Sequence, residues 1–255
     1  MKVKVSAVSY LNTLPFLYGI NNSDIINDME LSLDIPSVCA AKLLNGEVDL
    51  GLVPVAVIPQ LKNHYIISDY CIGAEGKVDS VGLFSDVPLN KIEQVYLDYQ
   101  SKTSINLVQL LAERYWKIAP EWLKADKGFE DKISANTAGV IIGDRTFCLP
   151  KKFKYKYDLA EEWQKYTGLP FVFACWVSNK ELSKEFITKF NLALKTGINS
   201  IKNVVEQYKE SNITFDKLYD YLSTKIAYVL DHDKRKAIED FLKYIEMREI
   251  LIPES

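Results

Sequence analysis

The chain opens on alternation. Val3, Val5 and Ala7 are interleaved with Lys4 and Ser6, the period-two pattern of a strand with one covered face. It runs into Ser9-Tyr10-Leu11-Asn12-Thr13-Leu14-Pro15, a polar turn ahead of Phe16 and Leu17. Residues 31–35 predict a second strand. Pro36-Ser37 then announces a helix, with Ser37 as its cap and Asn45-Gly46 at its end. Residues 48–53 are almost continuously apolar and close at Pro54, as a strand buried on both faces does. Strand, helix and strand in this order form a βαβ unit.

The same grammar returns later. Residues 94–98 predict a strand, and Ser101-Lys102-Thr103-Ser104 begins a helix carrying Leu107, Leu110, Leu111 and Tyr115. Gly139-Val140-Ile141-Ile142-Gly143-Asp144 reads as a buried strand ending in a polar turn. Two such units predict two similar lobes. Residues 81–85 and 171–177 are extended apolar stretches, read as crossings between the lobes. Beyond Leu182 the pattern is helical, with Phe186, Phe190, Leu194 and Ile198 at helical spacing. A last helix spans 233–247, with Asp233 as its N-cap. The division expected is residues 1–88 plus 176–255 for one lobe and 89–175 for the other. A chain that leaves a lobe and returns favours a hinged α/β protein with a ligand cleft between lobes.

Composition narrows the class. Hydrophobic residues make up 48% of the 255 residues and charged residues 25%, which excludes a disordered chain. A net charge of -3 argues against a nucleic-acid partner, which demands a basic surface. The first residues contain no apolar signal core, and no run reaches the roughly 18 apolar residues of a membrane span. A cytoplasmic protein with no membrane partner is expected. The four cysteines form no CxxC pair and only two histidines accompany them, so neither a metal nor a cofactor is expected. Buried small hydrophobes are the role expected of most of these cysteines.

In open α/β sheets, ligands sit beyond the carboxyl ends of the strands, where helix N-termini also point. Four segments meet that description: the turn of Tyr10 and Asn12, Ser37, the run Ser101, Thr103 and Ser104, and the pair Gly143-Asp144. All are rich in neutral hydrogen-bond donors, which suits an anion. Each also has a plain structural reading. Hydroxyls at helix starts cap helices, and Asn12 can bond its own backbone. Asp144 beside a dianion would repel it, so a turn-orienting role is preferred over that of a general base. Asp231-His232-Asp233 and His64 are expected on the surface. Lys151-Lys152-Phe153-Lys154-Tyr155-Lys156 is expected to be a solvated edge, with steering of an anion as a lesser role.

Longer strings carry a resemblance. Val8-Ser9-Tyr10-Leu11-Asn12-Thr13-Leu14-Pro15-Phe16 resembles the opening signature of the chorismate dehydratases of the futalosine route to menaquinone. So do Pro36-Ser37, Gly46-Glu47-Val48-Asp49-Leu50-Gly51-Leu52-Val53-Pro54-Val55, and Val78-Asp79-Ser80-Val81-Gly82-Leu83-Phe84-Ser85. Leu97-Asp98, Ser101-Lys102-Thr103-Ser104, Ile142-Gly143-Asp144 and Asp158-Leu159-Ala160 with Trp163 follow in the family's order. Thr167-Gly168-Leu169-Pro170-Phe171-Val172-Phe173-Ala174 and Trp176 complete the set. The resemblance implies a type II periplasmic-binding-protein fold and the dehydration of chorismate to 3-[(1-carboxyvinyl)oxy]benzoate. It further implies that Asn12 holds the ring substituents and Ser80 assists the leaving hydroxyl. Ser80 is preferred over Ser85 on its place in the family string, since alternation puts the two on opposite faces of one strand. Ser37, Ser101, Thr103 and Ser104 would take the carboxylates, and a carboxylate of the substrate would take the proton. The rivals are a small-anion solute-binding protein and the sister enzyme that makes 1,4-dihydroxy-6-naphthoate. The latter reaction needs a titratable base, and no histidine falls among the candidates.

Overall fold

A computed structural model describes residues 2–149, 151–209 and 213–251. The chain divides into two compact units, Met1–Gly73 with Val172–His232 and Ala74–Phe171 with Asp233–Ser255. The first unit opens with β1 (Val3–Val8), α1 (Leu14–Asn21), β2 (Met29–Asp34), α2 (Pro36–Leu44), β3 (Leu50–Pro54) and β4 (Tyr65–Ala74). β1 lies parallel to β2 and β3, with Val5 opposite Leu31 on one side and Leu50 on the other. This is the βαβ unit that the alternation predicts. Pro36 starts α2 because its fixed φ suits the first helical position and its missing N–H would have no partner there.

The second unit holds β5 (Val81–Ser85), β6 (Gln94–Leu97), α3 (Lys102–Leu110), β7 (Glu121–Lys124), β8 (Thr137–Ile142), β9 (Tyr155–Asp158) and α4 (Leu159–Thr167). Its sheet runs β7-β6-β8-β5-β9. β6 is parallel to β7 and β8, whereas β5 is antiparallel to β8 and β9. The chain then returns through β10 (Phe171–Ser178), antiparallel to β3, and continues with α5 (Lys184–Asn199), α6 (Ile201–Gln207), α7 (Phe215–Asp220) and β11 (Ala227–Val229). The first sheet is ordered β11-β4-β10-β3-β1-β2. α8 (His232–Leu251) closes the described chain.

The structure moves the expected boundaries. Residues 81–85 do not cross between units. All five are buried in β5, paired on both sides, which is why the run is apolar throughout. The outward crossing falls at Gly73 and Ala74, near the end of β4, and not at 88. The return falls at Phe171, within the stretch expected to cross. The last helix belongs to the second unit and not the first. Phe241 of α8 is fully buried, edge-on to Trp163 at 6.0 Å and to Phe171 at 5.1 Å. Asp233 sits inside the first turn of α8 and not at its cap.

Candidate functional site

The sequence-predicted residues fall into two groups, one on each unit. In the first unit, Tyr10 and Asn12 follow β1, and Ser37 follows β2. Both connections leave the carboxyl ends of parallel strands. Tyr10 precedes a 3-10 turn over Leu11–Thr13, closed by the Thr13 amide donating to the Tyr10 carbonyl at 3.0 Å. The Thr13 hydroxyl donates to Asn12 Oδ1 at 3.2 Å, leaving Nδ2 as the donor that the half-buried Asn12 side chain can offer a ligand. The Ser9 amide donates to the Asp34 carbonyl at 2.9 Å, so the loops after β1 and β2 are tied together.

Ser37 is not the cap of α2. Ile35 occupies the cap and Pro36 the first turn, because proline's φ places the helix start two residues earlier than the serine would. The side chain of Ser37 is half-buried near the helix start. Behind it, the Asp34 carboxylate takes Lys42 Nζ at 2.6 Å and the hydroxyls of Ser6 at 2.8 Å and Ser32 at 2.9 Å. Partial burial pushes Asp34 up, but those three partners outweigh it and hold the carboxyl below its ordinary value. The same cluster buries Cys39, whose thiol burial pushes up to about 11.

In the second unit, Ser80, the Ser101–Ser104 run and Gly143-Asp144 share one edge of the sheet. β6 and β8 end there, and the antiparallel β5 starts there. The Gly143 amide donates to the Ser80 carbonyl at 2.8 Å, with Gly143 at a φ of +66° that a side chain would strain. Ser101 caps α3, the plain one of its two readings, its hydroxyl accepting the Ser104 amide at a long 3.5 Å. Ser101, Thr103 and Ser104 are all buried. Asp144 is half-buried in the turn after β8. Ser85 lies at the opposite end of β5 and accepts the Val87 amide at 3.1 Å.

Two carboxylates organise this edge, and neither was given a role from sequence. Asp158 caps α4, accepting the amides of Ala160 at 3.2 Å and Glu161 at 3.3 Å. It also accepts those of Val78 and Asp79, at 3.1 and 2.7 Å, and so fastens the segment before Ser80 to the start of α4. Burial pushes its pKa up, resisted by those amides. Asp158 and Glu161 do carry the spacing of a helix start, which was the available signal. Asp98 is fully buried. It accepts the amides of Gln100 at 2.9 Å and Ile142 at 3.3 Å and pairs with Arg145, which also holds Glu130 at 2.6 Å. Burial raises Asp98 as well, against the pull of Arg145. Asp79 has a φ of +65° and is engaged by Lys77 at 2.9 Å and Lys156 at 3.4 Å.

The remaining candidates keep their plain roles. His64 is exposed, as are Lys151, Lys152, Lys154 and Lys156, the last on the edge strand β9. Cys39, Cys71 and Cys175 are buried thiols, and Cys148 is exposed. Among the described residues, no helix is long and apolar enough to cross a membrane.

Residues 3–247 match the model of a protein family described as menaquinone biosynthesis. A chorismate dehydratase of Campylobacter jejuni is 30% identical over 244 residues, covering 92% of this chain and 94% of that protein. A chorismate dehydratase of Thermus thermophilus is 28% identical over 192 residues, 68% of this chain and 70% of that one. Among solved structures, a conserved Candida albicans gene product with the generic periplasmic binding protein fold aligns with a TM-score of 0.66. It is 14% identical, and the alignment covers 100% of this chain and 92% of that one.

Proposed function

The chain belongs to the menaquinone biosynthesis family, and from that premise we propose that it is a chorismate dehydratase. In this reading it is a hydro-lyase of the futalosine route that takes chorismate as its small-molecule substrate and makes 3-[(1-carboxyvinyl)oxy]benzoate and water. Three buried thiols and one exposed, unbridged Cys148 suit a reducing compartment, and we place the enzyme in the cytoplasm.

The elimination breaks the ring C–O bond of the hydroxyl and the C–H bond on the neighbouring carbon that bears the enolpyruvyl ether. The C–H electron pair becomes a ring double bond, the ring becomes aromatic, and hydroxide and proton leave as water. The Asn12 Nδ2 donor orients the ring substituents, and Ser80 donates to the departing oxygen. Tyr10 borders the Asn12 turn. Ser37, Ser101, Thr103 and Ser104 supply hydroxyls or first-turn amides to the carboxylates, beside the turn of Gly143 and Asp144.

One observation carries the mechanism: three carboxylates around Ser80, those of Asp158, Asp98 and Asp79, already have partners. Asp158 accepts four amides, Asp98 is held by two amides and Arg145, and Asp79 faces two lysines. None of the three is positioned as a free base and Asp144 orients its turn, so in this reading a carboxylate of the substrate takes the proton while the protein fixes its orientation.

Purified protein given chorismate should form the aromatic product, identified by mass and ultraviolet spectrum. Asn12→Ala and Ser80→Ala should each lower kcat on the order of 100-fold or more while the fold is kept. Near-normal rates in both variants would remove these two roles. Saturable binding of unchanged chorismate would instead point to a solute-binding protein.

A further inference from the structure

Asn12 is held from a distant part of the chain. Tyr228 lies on β11 at the edge of the first sheet, 5% exposed, and its hydroxyl donates to the Asn12 carbonyl at 3.0 Å. The same ring meets Phe16, in the first turn of α1, edge-on at 5.2 Å and 70°. One side chain therefore touches both ends of the segment from Asn12 to Phe16.

Tyr228 is itself fixed. β11 pairs with β4, the Leu230 amide donates to the Asp69 carbonyl at 2.8 Å, and the Cys71 thiol lies 3.7 Å from the Ala227 carbonyl. The π-helical turn Tyr221–Lys225, just before β11, packs against the Leu11–Thr13 turn. Burial raises the phenol well above its ordinary value, so the hydroxyl stays a donor throughout the neutral range.

The bond fixes the orientation of the peptide plane that leaves Asn12. That plane also leads into Thr13, whose hydroxyl holds Asn12 Oδ1 at 3.2 Å, so freedom of the plane loosens the hold on the side chain, and a shift of about 1 Å in a positioning group can cost on the order of 100-fold in rate. We infer that Tyr228 is a positioning residue for the dehydration, its hydroxyl locking the Asn12 turn in the orientation that presents Nδ2. This rests on the dehydratase reading above and assigns Tyr228 no contact with substrate.

Tyr228→Phe removes the hydroxyl and keeps the ring against Phe16. The wild type is assayed first, so an inactive wild type would bring down the dehydratase reading and this inference with it. With an active wild type, Tyr228→Phe should lower kcat by about 10- to 100-fold per folded molecule, with KM changed by less than about threefold. Tyr70→Phe, on the strand paired with β11, is the control for loss of a neighbouring hydroxyl and should keep wild-type kcat. A purely structural Tyr228 would lower the urea midpoint and leave kcat of the folded fraction unchanged, and that result overturns the inference. Should Tyr228→Phe not fold, a fluorinated tyrosine placed at 228 keeps the ring and the hydroxyl but makes the phenol more acidic. Because the strength of the bond to the Asn12 carbonyl changes with the acidity of its donor, kcat should then change while KM is kept, and an unaltered kcat counts against the role.

Discussion

Asp158 collects four backbone amides from two segments about eighty residues apart, and in doing so it sets where Ser80 stands. Replacing it by alanine removes a helix cap and leaves buried N–H groups without an acceptor. Together these should cost about 2–4 kcal/mol in urea unfolding. Asp158→Asn keeps one acceptor oxygen and should lose about half of that. Because the segment before Ser80 loosens, kcat should fall in both variants, more in alanine. Ser85→Ala is the contrast: it frees only the Val87 amide at the other end of β5 and should leave kcat unchanged. A stable Asp158→Ala with normal kcat would show that the clamp is incidental. At this scale the sequence was legible only in part. The strings around Asn12 and Ser80 mark those residues, and the spacing from Asp158 to Glu161 marks a helix start. No local pattern reveals that the same carboxylate also accepts Val78 and Asp79, or that Tyr228 reaches Asn12 across 216 positions.

At the scale of elements, α1 carries the Asn12 turn at its start, and α1 is set by its crossing with α5. The contact is made through Gly19 and Gly197. A Cβ on Gly197 would stand 1.7 Å from the Pro15 carbonyl oxygen, and one on Gly19 would stand 1.9 Å from that of Ala193. Both obstacles are backbone, which cannot swing aside. Gly197→Ala must push the helices apart, and overpacking of this kind costs about 1–3 kcal/mol or more. Thermal unfolding should therefore begin several degrees lower, and KM for chorismate should rise as the turn ahead of α1 shifts. A Gly197→Ala protein with unaltered melting would mean that the helices slide freely. The helical spacing of Phe186, Phe190 and Leu194 made α5 readable, β1 was readable from its alternation, and β3 and β8 from their apolar runs. Ser37 misled as a cap because Pro36, already suited to the first turn, moved the cap to Ile35. β11 was missed because three residues, Ala227-Tyr228-Val229, hold too little alternation to stand out against helical neighbours.

For the molecule as a whole, the chain's departure and return could be read from two successive strand–helix–strand patterns, but not the unit to which the last helix belongs. Ala237, Ile238, Phe241, Tyr244 and Ile245 form a buried stripe on α8, and a stripe reports that a helix has a covered face without saying what covers it. The cover is Trp163 and Phe171, reinforced by Lys234 against Glu75 at 2.5 Å and by Tyr244 donating to Glu113 at 2.7 Å. All of these partners lie within 74–171, the part of the chain that forms the second unit. Phe241→Ala empties the centre of that contact, and such truncations cost about 3–5 kcal/mol. Amide exchange should therefore accelerate first in α4, β5 and β8, while β1, β2 and β3 keep their protection under the same mildly destabilising conditions. If β1 to β3 lost protection first, α8 would be serving the first unit after all, as the pattern of the sequence had suggested.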